Sequence, residues 1–344
     1  MERRTFLKFA SVSAAGMLMS KRAGAVHGDD KSGLKAPVLG KGEHTYECVH
    51  DWVSPPEGLA WGDTHGLAQD AAGRIYVAHT VGGGSTKSEA VVVFDNAGKF
   101  LTAWGAEFRG GAHGLDIRKE GDKEFLYHCD TARRIVVKTD LDGKVVWQME
   151  YPQEVKAYTS KDKFCPTNVA FHPDGDFYLG DGYGSSYVHR FTSEGKYVKT
   201  LAGPGSEKGQ VSCPHGMWVD TRSGTPKLAV ADRGNRRIQY MTLEGEHLGF
   251  VTEGMRQPCH FKTRGDVLLV PDLDSVITLL DKDNKVIVHL GDGAPSNLRG
   301  QPREKFVSGK FIHPHTAIFL ATGDILVAEW VPIGRITLLR KVGK

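Results

Sequence analysis

Residues Pro166–Gly203 read PTNVAFHPDGDFYLGDGYGSSYVHRFTSEGKYVKTLAG. Four short apolar runs stand out: NVAF, FYLGD, SYVHRF and YVKTLAG. Alternating β-branched and aromatic residues make each a strand, and the intervening HPDGD and TSEGK carry the Gly and Asp that tight turns require. The stretch is therefore one four-stranded antiparallel unit. The same order recurs along the chain, in units that start near Thr64, Ala112, Pro166, Pro214, Pro258 and Pro314, 44 to 56 residues apart. Regular repetition at that period predicts an all-β, six-bladed β-propeller of four-stranded antiparallel blades, and speaks against a sandwich of short strands. The sixth unit ends at RITLLRKV with three strands. The missing one is expected at His44–Trp52, so that an N-terminal strand in the last blade closes the ring and removes an exposed edge.

Outside the repeat the organisation is simple. Residues 1–25 pair Arg3 and Arg4 ahead of Phe6, Leu7 and Lys8, continue through an apolar run and end at Ala23–Ala25. This resembles a bacterial twin-arginine export signal, which implies the matching export machinery as a partner and a periplasmic or secreted protein. Residues 26–43 read as a linker and 44–344 as the propeller. The chain carries a formal charge of +3, and removing residues 1–25, themselves +4, leaves −1. A near-neutral chain has no basic footprint for nucleic acid. No stretch is long and apolar enough for a membrane span. The five cysteines form no CxxC and suggest no zinc ribbon.

Strand direction locates the chemistry. If each inner strand runs down from the top face, its first residue, the end of the second strand and the inter-blade loop all lie at the top. The opening column reads His65, His113, Thr167, His215, then Cys259 or His260, then His315. Blades two, four and six thus supply His113, His215 and His315 at about 120° spacing, an open three-imidazole arrangement suited to catalytic zinc. His65, His79, His260 and His313 are further candidates at the channel mouth. The second strands end in His79, Asp130, Asp181, Asp232, Asp272 and Glu329, whose carboxylates read as turn caps. Tyr183 and Arg233 follow two of them and are the candidate base and electrostatic partner.

These residues carry a likeness. FCPTNVAFHPDGDFYLGDGYGSSYVHRF, CPHGMWVD, VADRGNRRIQ and HPHTAI resemble the lyase domain of peptidylglycine α-amidating enzymes, an NHL-repeat propeller. The resemblance covers roughly residues 60–340 and is densest in blades three and four. It implies cleavage of a peptidyl-α-hydroxyglycine to an amide and glyoxylate, zinc on His113, His215 and His315, a catalytic Tyr183 and an active-site Arg233. Four departures accompany it. Thr80 stands near a second family arginine and His313 at a family methionine. Thr316 stands at an acidic residue that helps hold calcium, which puts calcium in doubt. Gly184 stands at a cysteine that would pair with Cys165. A peptide or small-molecule substrate follows from this reading. Two others stay open: a non-catalytic NHL propeller that binds a protein or ligand, and a metal-dependent lactonase or other hydrolase.

Overall fold

A computed structural model describes residues 36–343. The expected export signal lies outside the described residues, as does most of the expected linker. The described residues form six sheets arranged as six blades, antiparallel except for the short strand Gln210–Val211, which adds in parallel to the outer edge of blade three. Inner strands are Thr64–Gln69, Ala112–Glu120, Asn168–Phe171, Pro214–Asp220, Lys262–Arg264 and Pro314–Phe319. Each is followed in its sheet by the second, third and outer strands in chain order. The exception is blade six, where His44–Val49 pairs with Arg335–Lys341 and closes the ring as expected.

The sheet begins earlier than His44. Val38–Lys41 pairs with His44–Val49 as a fifth strand of the closing blade, inside the stretch read as linker. Its one obvious turn signal, Gly40 to Gly42, is short, and it has no repeat partner to align with. Blade five also departs from the pattern. Its inner strand is reduced to Lys262–Arg264, and Pro258 makes only an isolated bridge to Asp272.

Burial follows strand order. Second and third strands such as Ile75–His79 and Val276–Leu280 are buried throughout, while outer strands such as Phe100–Trp104 and Val145–Met149 are largely exposed. The cores lie between blades. Tyr127 of blade two meets Phe171 and Phe177 of blade three edge-on, with ring centroids 4.9 and 5.5 Å apart. Each such buried aromatic contributes roughly 1.5–3 kcal/mol by leaving water.

The inner strands approach one another too closely for side chains just after the histidines. A Cβ on Gly114 would lie 2.3 Å from the Thr167 carbonyl oxygen, and one on Gly216 would lie 2.3 Å from that of Cys259. The histidine-glycine pairs of blades two and four therefore mark where the next blade's backbone comes in. Lower in the channel, the Lys262 ammonium of blade five reaches Asp116 of blade two at 2.5 Å. Those blades are opposite in a ring of six, so the ion pair spans the channel below the histidines.

Candidate active site

The carbonyls that the two glycines admit also orient the histidines. His113 Nδ1 donates to Thr167 O at 2.8 Å, and His215 Nδ1 to Cys259 O at 2.9 Å. His315 Nδ1 donates to His65 O at 3.1 Å. Each alternate blade thus anchors its imidazole on the following blade. With Nδ1 protonated, every Nε2 carries a lone pair toward the axis. This is the outer-sphere bond that fixes the tautomer of metal-binding histidines.

The lone pairs crowd together. His315 Nε2 lies 3.1 Å from His113 Nε2. The Tyr183 hydroxyl lies 3.0 Å from His215 Nε2 and 3.2 Å from His113 Nε2. The one Tyr183 hydroxyl proton is shared by two of these acceptors and the His65 ring is the neighbour of the third, so the cluster gathers imidazole lone pairs able to hold a cation at the axis. Burial holds the His113 imidazole down at about 3 and puts His65, His215 and His315 well below their ordinary value, which keeps all four neutral. Neutral imidazoles are the form that binds metal.

His65 joins the ring as a fourth member. Its Nδ1 is 3.3 Å from His315 Nε2, and its ring centroid is 4.6 Å from that of His113. Ligand atoms of His65, His113 and His315 all lie within 4.8 Å of one another, a three-histidine cluster able to hold a metal ion. The expected trio shares His113 and His315 with this cluster. His215 packs against both, with centroids 5.0 and 4.6 Å away, and joins them through the Tyr183 hydroxyl. His65 lacks the bond to a neighbouring blade's carbonyl that His113, His215 and His315 each make.

Tyr183 is 41% exposed, but its hydroxyl end points into the ring of histidines. Burial of that end pushes the phenol above its usual range, and Arg233 opposes the shift. The Arg233 guanidinium sits 5.1 Å from the Tyr183 ring centroid, with Nη1 3.4 Å from the hydroxyl. Its other contacts are thiols: Nη2 to Cys213 at 3.0 Å and Nη1 to Cys259 at 3.7 Å. Among the described residues no carboxylate pairs with it, so its charge is available to an anion. All five cysteines are free thiols, Cys165 included.

Two mouth candidates lie elsewhere. His79 is turned away from the axis, where Nδ1 accepts from the amide of Val81 just after it at 3.2 Å and from that of Gly62, ahead of the inner strand, at 3.3 Å. His260 is fully buried lower down, with Nε2 3.5 Å from Asp116 Oδ2. His313 does reach the mouth. It lines a cavity of about 430 Å³ with Tyr183, Arg233, Leu273, His315 and Trp330. A cavity of about 460 Å³ between blades four and five is lined by Asp220 and Asn284. Arg222 already bonds both of these side chains.

The carboxylates ending the second strands are caps, as their position suggests, and they also hold the loop before the inner strand. Asp181 accepts from Cys165 N at 2.6 Å, Asp232 from Ser212 N at 2.7 Å, and Glu329 from Ile312 N at 2.7 Å. Ser212 and Ile312 each lie three residues before a histidine of the ring. The calcium of the resemblance does not fit. That ion needs oxygen donors. Thr316 offers no carboxylate, and Asp116, the acid facing across the channel, is already bonded to Lys262.

Rat peptidylglycine alpha-amidating monooxygenase is 29% identical over 163 residues, covering 45% of this chain and 16% of that protein. The Xenopus laevis enzyme A is 27% identical over 241 residues, 61% of this chain and 25% of that protein. Peptidyl-alpha-hydroxyglycine alpha-amidating lyase 1 of Drosophila melanogaster is 24% identical over 232 residues, 58% and 41% of the two chains. This chain is distantly related to the amidating lyases. It spans less than half the length of these relatives, and no family model matches it. The fold is shared more widely. Virginiamycin B lyase from Staphylococcus aureus superposes with a TM-score of 0.55 at 13% identity, covering 86% of this chain and 99% of that one. A gluconolactonase from Xanthomonas campestris gives 0.58 at 13% identity, covering 89% and 98%. At such identity the likeness concerns the propeller alone.

Proposed function

We propose that this propeller is a zinc-dependent lyase that cleaves the C–N bond of an α-hydroxyglycine amide. The observation that carries the reading is Tyr183, whose hydroxyl sits between His113 Nε2 and His215 Nε2 with Arg233 against its ring. Zinc held by His113, His215 and His315 would supply a Lewis acid that polarises an oxygen of the substrate.

The chain's own residues do the rest. Arg233 binds the substrate carboxylate and holds the hydroxyl against Tyr183. Burial disfavours the Tyr183 phenolate and the Arg233 guanidinium favours it; in that ionised form Tyr183 takes the hydroxyl proton. The electron pair left on that oxygen forms the C=O of the aldehyde as the C–N pair leaves on nitrogen. The proton then passes from Tyr183 to that nitrogen. Glyoxylate and a primary amide result, with no water consumed.

A second reading is lactone hydrolysis. It is favoured by His65, an imidazole of the ring not tied to a carbonyl of the next blade and so free to hold a water. One assay separates the two. The purified protein, loaded with zinc, is given a panel of α-hydroxyglycine amides and lactones. Glyoxylate release supports the lyase. Acid release from lactones alone supports the hydrolase, and no turnover on either leaves a binding propeller.

A further inference from the structure

The cavity beside the histidines has a built wall. Trp330 follows the second strand of blade six and is half-buried. The Arg299 guanidinium lies 3.7 Å from its ring centroid. Arg299 comes from the long loop between blades five and six and is held in turn by Asp63 of blade one, 2.7 Å from Nη2. The base of that loop is fixed as well, since Arg303 Nη2 donates to the carbonyls of Ile333 and Gly334 at 2.9 and 2.8 Å. On the cavity side the His313 ring packs on Trp330, with centroids 5.6 Å apart. His313 Nδ1 donates to Leu273 O at 2.6 Å, and Trp330 N to His313 O at 2.8 Å. Arg299, Trp330 and His313 therefore form one cross-braced stack. A wall whose rotamers are already fixed loses little entropy when it binds a ligand.

That wall sits in a definite relation to the chemistry. Trp330, His313 and Leu273 line the same cavity as Tyr183, Arg233 and His315. A substrate with its carboxylate on Arg233 and its hydroxyl on Tyr183 places its leaving amide among the remaining lining residues. Besides His315 they include Gln257 and Asp274, whose side chains bond each other at 3.1 Å, and an indole, an imidazole and a leucine, Trp330, His313 and Leu273, which supply the flat and apolar surface. These three suit a flat apolar group, because stacked rings gain more than their buried area alone.

We infer that Trp330, His313 and Leu273 form an acyl subsite, and that it selects substrates whose leaving amide carries an aromatic acyl group, an N-aroyl-α-hydroxyglycine. Arg299 is the positioning residue that holds Trp330. The inference rests on the lyase reading of the site, but its test need not.

The test has a turnover arm and a binding arm. In the first, kcat/KM is compared for the benzoyl and acetyl amides of α-hydroxyglycine. In the second, equilibrium binding is compared for benzoylglycine and acetylglycine, which lack the hydroxyl and cannot react. The expected benzoyl preference is about 5- to 10-fold in each arm. Trp330→Ala is expected to bring the ratio close to one, Trp330→Phe to keep most of it, and Arg299→Gln to lower it through KM. Equal affinity for benzoylglycine and acetylglycine in the wild-type protein overturns the subsite. So does a ratio that Trp330→Ala leaves intact. If benzoylglycine binds with the expected preference and neither hydroxyglycine amide turns over, the subsite stands and the lyase reading falls.

Discussion

At the scale of single residues, the chemistry turns on which groups face the axis. Tyr183 is placed to move the proton and makes no backbone bond through its hydroxyl, so Tyr183→Phe removes the base and leaves the ring intact. The expected loss in kcat is roughly 10²- to 10⁴-fold with metal content unchanged; a variant that keeps the full rate contradicts the assignment. The two possible metal triads separate in the same way. His215 carries the Nδ1–H bond to a neighbouring blade's carbonyl, and His65 does not. His215→Ala is therefore expected to lose bound metal and His65→Ala to keep it, measured by elemental analysis of the purified variants. The opposite pattern assigns the ion to His65, His113 and His315. This part of the site is legible in the sequence, because the histidines recur at one fixed place in a repeat. His79 carries the same mark falsely. It ends a second strand like the others, but its ring accepts from the amide of Val81 in the loop that follows and from that of Gly62 ahead of the inner strand, and nothing in the local sequence distinguishes the two fates.

At the scale of elements, the channel is braced by contacts between strands far apart in the chain. Asp116 and Lys262 are 146 positions apart and meet only because blades two and five face each other. Lys262 also lies 4.4 Å over the Trp218 ring. Lys262→Met leaves the Asp116 carboxylate buried without its partner, at a cost on the order of 3 kcal/mol. Adding Asp116→Leu is expected to recover most of that loss, read from denaturant midpoints of the single and double variants. A single variant as stable as the wild type rules the brace out. Strand patterning displays the blades readily, but not pairs of this kind. Periodicity reports which face of a strand is inward and says nothing of which inward residue meets which across a ring. The same limit hides Trp330 and Arg299, since Arg299 comes from a loop of irregular length with no counterpart in other blades.

At the scale of the whole molecule, the propeller buries neutral imidazoles well beyond the site. Burial lowers His79 to about 4 and His128 and His189 to about 3. In the unfolded chain these groups titrate near 6.5. Below that pH the unfolded chain binds more protons than the folded one, so stability rises with pH through this range. It is complete above about pH 6.5 and is lost on acidification toward pH 3–4, by up to about 1.4 kcal/mol per pH unit for each such histidine. Thermal melts of the protein should therefore move to lower temperature between pH 7 and pH 4.5, with or without metal. A melting temperature that holds constant across that interval shows that these rings are not kept neutral by the fold.

The central claim is that the ring of histidines holds a catalytic metal. Its most direct test is anomalous diffraction at the zinc edge from crystals of the protein purified without chelator. One peak is expected on the channel axis, within bonding distance of Nε2 of His113, His215 and His315 and next to the Tyr183 hydroxyl. An ordered, metal-free ring in crystals grown with added zinc, or a peak only elsewhere on the molecule, would contradict it.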